Sequence, residues 1–240
     1  MNRKLLLFVS ASFLMFQFFL TACDKEEDTA INGDNNNSDQ NYHGTVTDVD
    51  GNVYNTVKIG DQIWMAENLK VTHYNDGVAI QRVETGSCTW GNLTDGAYSW
   101  YDHDITNKDR MGAFYNWYAV KSGKLAPQGW HIPTKEEWEQ LITFLGNNGF
   151  QGDEARALKA DSLWTEGGTG TNDYYFNALP FGTKSATGSF TSHDWVARWW
   201  TSTEYDSEEA WLFSMSSYKP GVDSNSYSKN TGVTIRCVKD

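Results

Sequence analysis

Basic residues are scarce in this 240-residue chain: 19 Lys and Arg stand against 31 Asp and Glu, a formal net charge of −12. A surface of that sign repels phosphate backbones, which argues against nucleic acid as a partner. Proline occurs only four times against 21 glycines, so connections should be tight turns rather than rigid linkers. Cysteine is limited to Cys23, Cys88 and Cys237. The one long apolar run, Leu5 to Leu20, is broken by Ser10, Ser12 and Gln17 and spans sixteen residues. A membrane-crossing helix needs roughly 20. No Gly-x-Ser-x-Gly elbow of a serine hydrolase is present, and no repeat of fixed period appears. Aromatic residues are plentiful instead: eleven Trp, twelve Tyr and twelve Phe supply ample area for a core.

The N-terminus has the order of an export signal: Arg3 and Lys4, then the apolar run, then small residues leading to a cysteine. Leu20-Thr-Ala-Cys23 resembles the lipobox of bacterial lipoproteins. That resemblance implies a signal peptide over residues 1–22 and a lipid on Cys23, which holds the protein on a membrane. Loss of Arg3 and Lys4 leaves 17 basic residues against the same 31 acidic ones. Residues 23–41 contain Asp24-Lys-Glu-Glu-Asp28 and an Asn-, Asp- and Ser-rich stretch with little to bury, as expected of a flexible tether. The acidic cluster resembles the surface-export signal of Bacteroidetes lipoproteins, so the expected address is the outer membrane, facing the exterior.

Globular sequence runs from residue 42 to 240, a length that suits one large domain. Alternation at Val53, Asn55, Val57 and Ile59 predicts a strand after an Asp50-Gly51 hairpin turn. Ile63-Trp-Met65, Trp199-Trp200 and Val233-Thr-Ile235 are further strand cores, and residues 70–110 read as irregular loops. Phe114, Trp117 and Tyr118 suggest a short helix over 112–120. Thr134 with Glu137 forms a capping box ahead of Trp138, Leu141, Ile142 and Leu145, one apolar helical stripe that Gly146 ends. A second, short helix is expected from Asp153 to Lys159. Once Cys23 is lipidated, Cys88 and Cys237 remain in an oxidising compartment. They either close a loop of about 150 residues, worth several kcal/mol, or stay as two separate buried thiols; spacing leaves both open.

Several blocks together resemble the Fibrobacter succinogenes major paralogous domain family of exported bacterial proteins. They are Asp48-Val-Asp-Gly-Asn-Val-Tyr54, Val57-Lys-Ile-Gly60, Ile63-Trp-Met-Ala-Glu-Asn-Leu69 and Tyr115-Asn-Trp-Tyr-Ala119. Pro127-Gln-Gly-Trp-His-Ile-Pro-Thr-Lys-Glu-Glu-Trp138, Ala178-Leu-Pro-Phe-Gly182, Trp199-Trp-Thr-Ser-Thr-Glu204 and Ile235-Arg-Cys-Val-Lys239 follow in the family's order. The start of the Thr134 helix and the terminal Arg236-Cys237 also look like the formylglycine-generating-enzyme branch of C-type-lectin-like folds. The resemblance implies an α+β domain with a twisted antiparallel sheet, two main helices and long irregular loops. The family often carries a cysteine just before Pro-x-Gly-Trp-His; here that position is Ala126, so the usual partner of the terminal cysteine is either replaced by Cys88 or lost.

The chemistry-bearing clusters are weak. The oxidase relatives use a cysteine pair near the C-terminus, and only Cys237 falls there. Asp102-His-Asp104 reads as a polar turn. Asp48, Asp50 and Asn52 imitate a calcium loop but meet Ile59 where its glutamate belongs. Neither Glu-Pro-Asn nor Gln-Pro-Asp of calcium lectins occurs. No cofactor and no metal site are therefore expected, and the domain reads as non-catalytic. Trp90, Tyr98 and Trp195 sit among turn formers and are the candidate ligand-binding aromatics. The expected role is recognition or adhesion, with polysaccharide as first ligand and a surface protein as second. The alternatives are a structural subunit of an envelope assembly and an uncharacterised hydrolase.

Overall fold

A computed structural model describes residues 43–84, 90–165 and 167–240. Its first strands are β1 (Gly44–Thr47), β2 (Val53–Ile59) and β3 (Gln62–Met65). Asp48 builds the turn between the first two. Its Oδ1 accepts the backbone N–H groups of Asp50 and Asn52, and its Oδ2 accepts the Tyr54 hydroxyl. Short strands follow: β4 (Gln81–Arg82), β5 (Ala97–Ser99), β6 (Phe114–Tyr115), β7 (Trp130–His131), β8 (Thr183–Lys184) and β9 (Phe190–Thr191). The long ones come late, as β10 (Val196–Glu204), β11 (Glu209–Ser216) and β12 (Asp223–Ser228), before a terminal β13 (Val238–Lys239). The helices are α1 (Lys108–Met111), α2 (Trp117–Lys121), α3 (Lys135–Leu145) and α4 (Glu154–Leu158).

One antiparallel sheet has the order β1-β2-β3-β13-β7, and a second is the meander β10-β11-β12. Strands β4, β5 and β6 form a third sheet with one parallel pair, and β8 with β9 a fourth. The result is a sheet-rich α+β fold with few helices, and from residue 43 on it forms one compact unit. Neighbouring residues on one strand face opposite sides, and here that separates two cores. Met65, Trp200, Leu212 and Cys237 enter one; Trp64, Trp199, Phe213 and Val238 enter the other, against Trp138, Leu141 and Leu145 of α3.

The C-terminal segment ties these layers together. Gly232 exchanges backbone hydrogen bonds with Lys184, and Val233 with Tyr115. The carbonyls of Thr234, Ile235 and Cys237 then accept from Trp200, Leu69 and Met65. This corrects the strand expected at Val233–Ile235: the partner changes with nearly every residue, so single bridges form instead of a ladder.

Three other expectations change. Phe114 lies in β6, and the helix begins only at Trp117, because the Asn116 side chain caps it by accepting the Ala119 N–H. On β2, Val53 is 56% exposed while Tyr54 and Thr56 are buried beside Val57 and Ile59, since both faces of that sheet are covered. The short helix expected from Asp153 to Lys159 forms as the five-residue α4 with those two residues as its caps, so α3 is the one long helix among the described residues where two main helices were expected.

The α3 capping box forms as expected, Thr134 Oγ1 accepting the Glu137 N–H while the Glu137 carboxylate accepts the Thr134 N–H. The other oxygen of Glu137 lies 2.8 Å from His131 Nε2, and His131 Nδ1 is 2.6 Å from Asp240 Oδ1. Partial burial pulls the imidazole pKa down, but hydrogen bonds to Asp240 and Glu137 outweigh it and hold it above its usual value. A raised folded-state value means this stabilisation is fully present below about pH 6.5 and is lost as pH rises through the folded value. The urea midpoint should therefore fall between pH 6 and pH 8, and His131→Gln should flatten that slope. An unchanged slope in the variant would remove His131 as its source.

Candidate functional site

The structure separates the three aromatics that the sequence offers as ligand contacts. Trp90 is fully buried, its indole N–H donating to the Asn230 carbonyl at 2.6 Å, with the Lys184 ammonium 5.1 Å from the ring centroid. Gly232 permits this contact, because a Cβ there would lie 2.9 Å from the Trp90 ring. Tyr98 is also buried, edge-on to Trp100 at 5.3 Å, and burial pushes its phenol pKa up. Neither ring presents a face to solvent, which corrects the expectation of exposed loop aromatics at these two positions.

Trp195 differs. It is 44% exposed and lies 5.2 Å from Tyr218, itself 69% exposed, with the ring planes tilted by 45°. Local structure sets this up. Ser192 and Asp194 adopt positive φ in the turn before β10, which carries the Trp195 carbonyl to the Ser217 N–H at 2.9 Å. The β10–β11 register pairs Val196 with Ser216, so Trp195 falls opposite the turn that holds Tyr218.

Beneath Tyr218 lies a polar cleft of about 200 Å³, lined among others by Asp153, Arg156, Lys159, Thr169, Ser217 and Lys219. Its walls come from α4, the loop around residue 168 and the β11–β12 turn. Gly168 packs so closely on Ser217 that a Cβ would sit 2.7 Å from its side chain. Arg156 Nε is engaged by Asp153, and Lys219 by Asp223 at 2.9 Å. Lys159 is 4% exposed, and burial pulls its pKa down. Sequence reasoning missed Tyr218 and Lys159. The rule that selected Trp195 also fits Tyr218 in Ser217-Tyr-Lys-Pro220, whereas Lys159, between Leu158 and Ala160, carries no signal beyond a cation in an apolar run.

A roomier cleft of about 480 Å³ is lined by Tyr74, Asp76, Asp95, Tyr118 and Lys124, but its Asp76 and Lys124 pair with each other at 2.7 Å. Asp102-His-Asp104 forms a turn: Asp102 and His103 have positive φ, and Asp104 accepts the Thr106 N–H. Among the described residues, no group of three or more His, Cys, Asp or Glu side chains gathers to hold a metal ion. Cys237 is buried in the first core, and burial pushes its thiol pKa up. Cys23, with the signal and tether, and Cys88, the other half of the expected pairing, lie outside the described residues.

No curated protein and no solved structure matches the chain. The family model described as the Fibrobacter succinogenes major domain matches residues 57–239, from within β2 to the end of β13, and the chain belongs to that family.

Proposed function

We propose that this protein is a lipoprotein, anchored in the outer membrane through Cys23 and facing the cell exterior, whose folded domain recognises polysaccharide without catalysis. The observation that carries the reading is the Trp195–Tyr218 pair, two exposed rings 5.2 Å apart, of which Tyr218 also lines a polar cleft. Sugar rings present C–H faces that stack on aromatic planes, and their hydroxyls need convergent polar groups beside the plane. Contiguous exposed apolar surface rimmed by polar groups marks interaction sites, whereas a lone exposed ring does not. The finer fold reading, a C-type-lectin-like domain, is supported by a capped helix packed on antiparallel sheet and by the terminal Arg236-Cys237 segment running through the core. The hydrolase alternative asks for an available carboxylate in the cleft, and Asp153 is already engaged by Arg156.

The test is a broad glycan array probed with residues 43–240, with and without EDTA, beside Trp195→Ala and Tyr218→Ala. The expected result is chelator-resistant binding that each substitution weakens about tenfold, the scale of one lost stacking contact. Silence across the array from folded protein would overturn the polysaccharide reading and favour a protein partner.

A further inference from the structure

The cleft beneath Tyr218 has a charge pattern opposite to that of the chain. Against 31 acidic and 19 basic residues overall, its charged lining consists of Arg156, Lys159 and Lys219 with Asp153 as the single acid among the described residues. Two of these cations are engaged by acids, through Arg156 Nε to Asp153 and Lys219 Nζ to Asp223. Lys159 is not. Its ammonium donates to the Ser216 carbonyl at 2.6 Å and the Lys219 carbonyl at 3.2 Å, and it stands 4.8 Å from the centroid of the Trp164 ring. Two of its three N–H groups are thereby used, and no carboxylate among the described residues lies within ion-pair distance of it.

A buried ammonium with no carboxylate in contact, Asp153 acting on it only from beyond ion-pair distance, is held at a cost in solvation free energy. Where such a group lines an open cleft, an anion entering the cleft recovers part of that cost, so the cost becomes affinity. Arg156 adds to the same wall: only its Nε is taken by Asp153, which leaves its two terminal amines as a fork suited to a carboxylate.

The geometry points to an acidic sugar, a uronate unit within a polysaccharide, as the ligand of this cleft. Its ring faces would stack on Tyr218 and Trp195, while its carboxylate takes the remaining Lys159 N–H and the terminal amines of Arg156. This inference rests on the polysaccharide reading above and names the class of sugar. It also assigns the two roles to different residues, stacking to the aromatic pair and charge recognition to the cations, so the two can be separated.

The experiment is calorimetric titration of residues 43–240 with α-1,4-linked tetragalacturonate, with its fully methyl-esterified counterpart and with neutral cellotetraose. Esterification removes the negative charge and leaves the rings in place. The free acid should bind about tenfold or more tightly than the ester, the scale of one charge-assisted hydrogen bond. Lys159→Met and Arg156→Gln should each weaken the free acid more than the ester and so reduce that preference towards unity. Trp195→Ala should weaken both ligands together. Arg156→Gln is an exposed substitution and decides the matter if Lys159→Met fails to fold. Equal affinity for acid and ester, or binding of cellotetraose alone, overturns the uronate inference and leaves the polysaccharide reading standing. A preference that survives in the folded variants overturns the assignment to these cations. Binding of none of the three probes by folded protein overturns the uronate inference, and silence on the broad array is what overturns the wider reading.

Discussion

Arg236→Ala should lower the free energy of unfolding by about 4 kcal/mol, the combined cost of buried carbonyls left without donors and of a cavity opened in the core. The guanidinium is buried between two rings, 4.2 Å from the Phe176 centroid and 5.6 Å from that of Trp199. Its Nε donates to Asn68 Oδ1 at 3.1 Å, and its terminal amines donate to the carbonyls of Phe176 and Asn177. Alanine strands both carbonyls, at about 1–3 kcal/mol each, and leaves a cavity between the rings. Asn68 also loses a donor, although it keeps the Trp199 indole N–H and its own bond to the Met111 carbonyl. Arg236→Lys retains the charge but not the planar fork, so it should recover less than half of the loss. Urea unfolding followed by tryptophan fluorescence reads the difference. A cost below about 1 kcal/mol for alanine would mean that this network does not hold the β10 layer to the 176–177 segment.

The second large effect is expected at Trp138. Trp138→Ala should cost about 4 kcal/mol, within the range for truncating a buried large aromatic, and Trp138→Phe about 1 kcal/mol. The ring stacks on Phe213 with centroids 5.2 Å apart and meets Trp64 at 4.9 Å, Trp199 at 5.7 Å and Phe176 at 5.9 Å. Alanine empties the centre of this aromatic box, and rigid neighbours on four sides cannot collapse into it. Phenylalanine keeps most of the contacts. It also removes no hydrogen bond, because the Trp138 indole N–H is buried without a partner among the described residues. Thermal unfolding of the two variants makes the comparison. If phenylalanine costs as much as alanine, the indole N–H matters in a way the packing does not show.

Both residues lie in blocks that are visible in the primary sequence, yet their roles were not equally legible. Trp138 follows Thr134 and Glu137 on one helix, so the capping box and the apolar stripe announce its burial from a span of a dozen residues. Arg236 reads as an ordinary terminal cation. Its partners at 68, 176 and 177 are 168 to 59 residues away, and no local pattern records them. The helix expected at 112–120 shows the same limit from the other side. The spacing of Phe114, Trp117 and Tyr118 suits a helix, but Tyr115 finds a backbone partner in Val233, and that long-range bridge keeps the first half extended.

Among the candidate aromatics the division is sharper. Trp90 and Trp195 occupy similar local settings, each flanked by small and polar residues. The sequence by itself determined the elements whose physics is short-range: the turn ahead of β2, the capped helix and the family blocks. Only the tertiary structure decided which tryptophan meets solvent. Exposure depends on what distant segments bring alongside: Asn230, Gly232 and Lys184 close over Trp90. Trp195 has Tyr218 beside it and open space beyond. The same reason applies to Lys159, whose charge became informative once α4, the loop around residue 168 and the β11–β12 turn enclosed it in one cleft.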